Sequence, residues 1–216
     1  MRMLKTIAFL CALALPAAAF AQQNFDPWRG TTPAAKSDTK AKTNTNADSK
    51  TKSEKKTAQT KTKSGGANTL TLETTKGKIV VRLRADLAPN HVKRLQQLAS
   101  EGFYNNVPFH RVIAGFMAQT GDGQNGDGTG GSKYPDLKAE FSNVPFRRGI
   151  VGMARKGGNN DSANSQFFIM FDEQSSLNGQ YTVVGEVVSG MNVVDKINKG
   201  EPPRTPDRIL KAIPGQ

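Results

Sequence analysis

Alternating apolar and polar residues predict a β-hairpin where the last two-thirds of this 216-residue chain begins. Leu70 and Leu72 alternate with polar neighbours, and a second alternating run extends over 78–84. A period of two places apolar side chains on one face of a strand. The dipeptide Lys76-Gly77 between the two runs predicts the turn.

A helix is predicted to follow the hairpin. It starts in segment 86–89, with a proline in its first turn, and ends at Gly102. His91 lies near the start of this helix and is expected at the surface. The apolar residues that line one side of the helix are Val92, Leu95 and Leu98.

Several short strand-like runs, separated by Gly, Asn, Asp and Pro, follow the helix. They cover 109–113, 116–120, 150–154, 166–171 and 181–187. Met191, Val194 and Ile197 then mark a second short helix, which ends before Gly200 and Pro202. Mostly antiparallel strands with two isolated helices predict an α+β or a barrel architecture, and periodicity alone leaves both open.

Composition changes along the chain and defines its domains. Between Lys36 and Gly66 the only apolar residues are three alanines, too few to offset the entropy of ordering the segment. We therefore predict a disordered Lys/Thr/Ser-rich linker over 22–68 and one folded domain over 69–216. The formal charge is +12, and Lys36 to Gly66 contributes half of it, with nine lysines and three acidic residues.

The first 21 residues have the three regions of a secretory signal peptide. Two basic residues precede an apolar run over 6–15, and the sequence then reaches the small-residue cleavage motif Ala19-Phe20-Ala21. The run is too short to span a bilayer. We expect cleavage after this motif and export to a bacterial periplasm. An uncleaved anchor and lipidation at Cys11 are the alternatives.

Cleavage would remove the only cysteine of the chain. Disulfides, thiol catalysis and cysteine metal sites are then excluded for the mature protein. The two histidines, His91 and His110, are too few for a multi-histidine metal site. We therefore expect no metal and no cofactor.

The basic linker has two possible roles. It is either a soluble spacer or a tether whose lysines contact anionic lipid headgroups, cell-wall polymers or nucleic acid. It lacks interleaved aromatic residues for base stacking, so no specific nucleic-acid partner is expected. Trp28 is either incidental or part of a short docking motif. No feature indicates oligomerisation, and we expect a monomer.

Two blocks of sequence say most about function. Residues 109–122 read FHRVIAGFMAQTGD, and residues 162–170 read SANSQFFIM. Each block sets a cationic or amide side chain among aromatic and thioether groups. This composition suits a groove that grips an apolar residue and hydrogen-bonds its backbone, and proline in a peptide is such a residue.

With GTGG at 128–131, GMA at 152–154 and LNGQYTVVG at 177–185, these blocks resemble the cyclophilin-type peptidyl-prolyl isomerases. The resemblance covers about residues 69–212. It implies a mainly β fold, a closed eight-stranded antiparallel β-barrel capped by two α-helices. It also implies peptidyl-prolyl cis-trans isomerase activity, without a cofactor, on proline-containing unfolded or flexible polypeptides.

The resemblance also implies roles for individual residues. Arg111 is the candidate hydrogen-bond donor to the twisted amide, and Gln119 is expected to bind the substrate backbone. His110 is expected on the opposite face of the strand, in a structural role. The substrate groove is expected to contain Phe116, Met117, Ala154, Arg155, Gln166, Phe168, Leu177 and Tyr181.

Some positions depart from the family pattern. Arg155 stands where the family more often has Asn, and Tyr181 where eukaryotic members often have His. Ser176 replaces a Trp common in eukaryotic members, and we predict weak inhibition by cyclosporin. The glycine-rich run 121–131 lacks the Gly-Lys-Ser/Thr ending of a phosphate loop, so we interpret it as a surface loop that borders the groove.

Three hypotheses about function follow. The first is an exported isomerase that assists protein folding. The second is a binding module of the same fold that holds proline-containing segments without turnover. The third assigns the function to the linker, as a tether to an anionic surface, and predicts salt-sensitive retention that disappears when 22–66 is deleted. The retained Arg111, Gln119 and apolar groove residues favour the enzyme.

Overall fold

The computed structural model of the protein describes residues 68–215. The predicted signal peptide, and the predicted linker as far as residue 67, lie outside the described residues. In chain order the elements are β1 (Thr69–Thr74), β2 (Gly77–Leu83), α1 (Pro89–Ser100), β3 (Val107–Pro108), β4 (Arg111–Ile113), β5 (Met117–Thr120), β6 (Ile150–Met153), β7 (Phe167–Met170), a 3₁₀ helix (Ser175–Leu177), β8 (Val183–Ser189), α2 (Met191–Val194) and β9 (Arg208–Pro214). Within this part of the chain no helix has the length and apolar character to cross a bilayer.

The nine strands form one antiparallel sheet in the order β3-β9-β1-β2-β8-β6-β7-β5-β4. The mainly β architecture with two helices is confirmed. The sheet has nine strands, not eight, and its end strands β3 and β4 do not pair with each other, so the expected closed ladder is not formed. β3 has only two residues, and Pro108 has no N–H to donate to a further strand. Instead of pairing with β3, β4 forms a single antiparallel bridge, between Val112 and Gly200 in the segment between α2 and β9.

The predicted hairpin and first helix are confirmed. β1 and β2 pair with Leu70 opposite Val81 and Leu72 opposite Ile79, and all four side chains are buried. The apolar side of α1 is buried as predicted. The polar neighbours in β1 and β2 are more exposed, as the period-two pattern requires.

The surface position predicted for His91 is wrong, because its side chain is completely buried. The first N–H groups of a helix lack intrahelical acceptors. The carboxylate of Glu140 accepts hydrogen bonds from the backbone N–H groups of Asn90 and His91, and Oε2 lies 2.6 Å from Nδ1 of the imidazole. Glu140 thus caps α1 from outside the helix and covers His91.

The C-terminal elements differ most from the sequence pattern. α2 has only four residues, and Ile197 is buried beyond its end. β9 was not predicted from the sequence. Its register against β1 shifts between Glu73 and Thr74, so that Ile209 and Ala212, three residues apart, both face the core. A bulge of this kind breaks the period of two.

The core has two apolar clusters. The larger one joins the inner face of the sheet to α1 and includes Leu72, Leu95 and Phe167. The smaller one supports the functional site. Its buried members are Met117, Phe146, Ile150, Phe168, Met170, Leu177, Tyr181 and Val183.

Candidate functional site

A row of directly opposed residues crosses four neighbouring strands. Arg111 on β4 is opposite Gln119 on β5, Gln119 is opposite Phe168 on β7, and Phe168 is opposite Gly152 on β6. Opposed residues in antiparallel strands have Cα atoms about 4.5–5.5 Å apart and point to the same face. The register therefore places a guanidinium, an amide and an aromatic ring side by side.

These side chains line an open groove with a volume of about 1620 Å³. Small-molecule cavities are usually about 300–1,000 Å³, so this groove suits an extended peptide better than a compact ligand. Eight of the ten predicted site residues line it, namely Arg111, Met117, Gln119, Ala154, Arg155, Gln166, Phe168 and Tyr181. The exceptions are Phe116, which packs against the smaller cluster, and Leu177, which is buried within it. These two residues support the groove without lining it.

The apolar floor of the groove consists of packed aromatic rings. Phe168 stacks on Phe146 with ring centroids 5.8 Å apart, and the ring of Tyr181 meets Phe168 edge-on at the same distance. Gly152 has no side chain, and a Cβ there would lie 2.6 Å from atoms of both phenylalanine rings. The glycine thus leaves the space that the two rings occupy.

Two hydrogen-bonded glutamine side chains form the polar wall of the groove. Gln119 Nε2 donates to Gln166 Oε1 at 2.9 Å, and Gln166 Nε2 donates to the carbonyl oxygens of Gly128 and Gly130. The buried carboxylate of Asp122 accepts hydrogen bonds from the N–H groups of the same loop, including those of Gly128 and Gly130. The glycine-rich segment is therefore a structured loop that borders the groove, as predicted.

The opposite wall contains Ala154, Arg155 and Tyr181. The backbone N–H of Ala154 donates to the carbonyl of Gln166 at 2.9 Å, which fixes this segment beside β7. The guanidinium of Arg155 lies 4.5 Å from the centroid of the Tyr181 ring, and its Nε donates to the carbonyl of Gln180. Burial raises the pKa of the Tyr181 hydroxyl, so the phenol stays neutral at physiological pH.

His110 differs from its predicted placement, because it lies at the groove. β4 begins only at Arg111, so strand alternation does not govern the direction of His110. Its ring underlies the glycine-rich loop, where a Cβ on Gly128 would lie 3.0 Å from His110 Cδ2. Burial lowers the pKa of His110, which keeps the imidazole neutral at pH 7.

Glu201 is a groove residue that sequence reasoning missed. Arg111 Nε donates to Glu201 Oε2 at 2.7 Å, although the two residues are 90 positions apart. Glu201 follows Gly200, whose backbone is hydrogen-bonded to Val112 in both directions at 2.8 Å. The only local signal was an acidic residue before two prolines, and no periodicity connects that segment with β4.

The groove has the chemistry of peptide recognition combined with electrostatic stabilisation. Within residues 68–215 no group of three or more His, Cys, Asp or Glu side chains is arranged to hold a metal ion. The polar groups beside Phe168 in the cross-strand row are the guanidinium of Arg111 and the amide of Gln119, which is hydrogen-bonded to the amide of Gln166. Such groups donate and accept hydrogen bonds without exchanging protons with a substrate.

Comparison with known proteins agrees with this site. Residues 69–213 match the family model of the cyclophilin type peptidyl-prolyl cis-trans isomerases. A probable peptidyl-prolyl cis-trans isomerase of Brucella suis is 55% identical over 169 residues, covering 71% of this chain and 86% of the relative. A peptidyl-prolyl cis-trans isomerase of Helicobacter pylori is 43% identical, covering 61% and 80%.

Solved structures show the same fold. The crystal structure of a Cryptosporidium parvum cyclophilin type peptidyl-prolyl cis-trans isomerase, in the presence of the dipeptide Ala-Pro, has a TM-score of 0.63 and 27% identity. It covers 68% of this chain and 99% of that one. A cyclophilin from Hirschia baltica matches with a TM-score of 0.63 and 28% identity, covering 68% and 74%. The chain belongs to the cyclophilin-type peptidyl-prolyl isomerase family, and its activity is the cis-trans isomerisation of peptidyl-prolyl bonds.

Proposed function

We propose that this isomerase accelerates X-Pro rotation by stabilising the twisted amide without a covalent intermediate, with Arg111 as the donor. Rotation must break amide resonance, and its barrier is about 18–20 kcal/mol. Binding the twisted amide more tightly than either planar isomer lowers this barrier. The twisted nitrogen regains its lone pair, so a fixed donor favours that geometry selectively. Lowering the barrier by about 5 kcal/mol accelerates the step several thousandfold.

The row across the sheet supports a division of roles. We assign the proline ring to the floor formed by Phe168 and Met117, beside Tyr181. Arg111 is two strands from Phe168, about 10 Å between Cα atoms, which an extended arginine side chain can span. Gln119 lies between them and would bind the substrate backbone. A guanidinium is always protonated, so this role is electrostatic and independent of acid–base chemistry.

The proposed substrates are proline-containing segments of unfolded or flexible polypeptides. The related Cryptosporidium parvum structure was obtained in the presence of the dipeptide Ala-Pro, which supports this class of ligand. The single observation that supports the mechanism best is the placement of a permanent cation and an aromatic floor in one cross-strand row of one groove.

Two-dimensional exchange NMR of an Ala-Pro-Phe peptide tests this mechanism. We expect the wild-type protein to accelerate cis-trans exchange and Arg111→Ala to lose at least about tenfold, because the fixed donor is gone. Arg82→Ala is the matched control, since Arg82 is also a strand arginine that contacts a carboxylate, that of Glu186 at 3.1 Å, but lies outside the groove. Binding of the peptide without accelerated exchange would instead identify a recognition module.

We also propose that the protein is exported by a cleavable signal peptide and acts in the periplasm. The basic start, the apolar run and the Ala19-Phe20-Ala21 motif support this location. Cell fractionation and N-terminal sequencing provide the test. A mature protein beginning at Gln22 in the periplasmic fraction is the expected result, and a cytoplasmic protein that retains Met1 would contradict it.

A further inference from the structure

We infer that Glu201 is a positioning residue that holds the guanidinium of Arg111 in its active orientation. The inference rests on the role proposed above for Arg111. It concerns a loop outside the family motifs quoted above, the segment 200–206 between α2 and β9, which we call the proline loop. Glu201, Pro202, Pro203, Arg204 and Pro206 of this loop line the groove.

Backbone contacts fix the proline loop against β4. The N–H of Gly200 donates to the carbonyl of Val112, and the N–H of Val112 donates to the carbonyl of Gly200, both at 2.8 Å. This bridge places Glu201 next to the residue that precedes Val112, which is Arg111. Gly200 has φ +150°, and a Cβ there would lie 2.5 Å from the Cα of Pro203. The turn that presents Glu201 therefore requires glycine at position 200.

The contact between the two side chains has the geometry of an orienting interaction. Glu201 Oε2 accepts from Arg111 Nε at 2.7 Å, the short distance typical of a charge-assisted hydrogen bond. The guanidinium is planar and rigid, so holding Nε fixes the plane of the whole group. The two terminal Nη groups of the guanidinium, which face away from Nε, then keep a constant direction. Orientation matters here because a misplacement of about 1 Å can cost on the order of 100-fold in rate.

Orientation, not charge, is the main effect expected of Glu201. Its side chain is 48% exposed, whereas that of Arg111 is 14% exposed, so solvent screens the carboxylate more than the guanidinium. The negative charge also opposes the positive field that Arg111 would apply to the amide nitrogen. A neutral acceptor of the same shape should therefore preserve or slightly increase the rate, whereas loss of the acceptor should decrease it.

Three variants of the full-length chain separate these effects. We expect Glu201→Ala to lower kcat about tenfold, equivalent to about 1.4 kcal/mol, with KM changed less than about twofold, because the donor acts mainly in the transition state. Glu201→Gln should retain kcat within about twofold, since its amide oxygen can still accept from Nε–H. The matched control is Glu186→Ala, which removes the carboxylate partner of Arg82 outside the groove and should leave both constants unchanged.

A double-mutant cycle and an NMR signal test positioning directly. In the Arg111→Ala background, Glu201→Ala should have no further effect, because nothing remains to be oriented. The Nε–H resonance of Arg111, assigned by its loss in Arg111→Lys, should be slow to exchange in the wild type and in Glu201→Gln, and fast in Glu201→Ala.

Two results would overturn the inference. One is a wild-type kcat for Glu201→Ala, and the other is the same loss in the wild-type and Arg111→Ala backgrounds. Failure of the proposed function looks different, because the wild-type protein itself would then not accelerate exchange. The Nε–H signal would still report the contact between Glu201 and Arg111 in that case.

Discussion

Gly152→Ala should damage the floor of the groove without touching any polar group. The added Cβ would lie 2.6 Å from Cε1 of Phe146 and from Cζ of Phe168, whereas ordinary van der Waals contacts begin at 3.4 Å. The rings must therefore move by about 0.8 Å. Both are almost completely buried, with Phe146 at 0% and Phe168 at 3% exposure, so the surrounding core resists the movement.

The expected cost follows from this overpacking. Methyl groups inserted into a packed core typically cost about 1–3 kcal/mol. For a domain of this size, that corresponds to a fall in Tm of about 2–12 °C. A displaced Phe168 also misplaces the proposed proline site, and we expect kcat/KM for an Ala-Pro peptide to fall by about 10- to 100-fold. Urea titration and exchange NMR measure the two effects separately.

A second-site change provides the control. Phe146→Leu removes the ring on the side away from the substrate and should lower stability while leaving turnover near the wild-type value. In the double variant Phe146→Leu/Gly152→Ala, the contact of the methyl group with Phe146 is relieved but the 2.6 Å contact with Cζ of Phe168 remains, so turnover should stay as low as in Gly152→Ala alone. Wild-type turnover in a destabilised Gly152→Ala would refute the role assigned to Phe168. Unchanged stability would refute the packing argument itself.

Three further predictions concern other parts of the domain. Burial lowers the pKa of His91 despite its bond to Glu140, so stability is complete above the unfolded pKa of about 6.5 and decreases as pH falls toward the folded pKa. Between pH 7 and 5.5, urea titration should show that the free energy of unfolding decreases less for His91→Asn than for the wild type, by up to about 1.4 kcal/mol per pH unit. Equal dependence of the unfolding free energy on pH in the two proteins would contradict this. Among the described residues no carboxylate lies within ion-pair distance of Arg155, so its charge can favour an acidic residue before the proline. At low salt, Glu-Pro peptides should therefore be isomerised about two- to fivefold faster than Lys-Pro peptides. Arg155→Gln or 0.5 M NaCl should abolish this difference. Ser176 is exposed in the 3₁₀ helix, and Ser176→Trp should strengthen the weak cyclosporin inhibition expected of the wild type. Nanomolar inhibition of the wild type would refute that expectation.

Local sequence patterns were sufficient to predict the structure wherever a short-range period or motif determines it. The hairpin from Thr69 to Leu83 and helix α1 follow from periods of two and three to four residues that the core preserves. The order of motifs was sufficient to predict the family, and eight of the ten site residues predicted from it line the groove. Four of these residues, Arg111, Met117, Gln119 and Phe168, lie on strands, so the alternation of the strand also determines the direction of their side chains.

Contacts between distant segments decided the rest. The burial of His91 depends on Glu140, which caps α1 from 49 positions away, and β9 escaped detection because a bulge breaks its period. The orientation of Arg111 depends on Glu201, which a bridge between Val112 and Gly200 brings to β4. The sequence by itself determined which side chains are available to the site. Tertiary structure alone decided how they are held, because hydrogen bonds between segments about 50 to 90 residues apart leave no period along the chain.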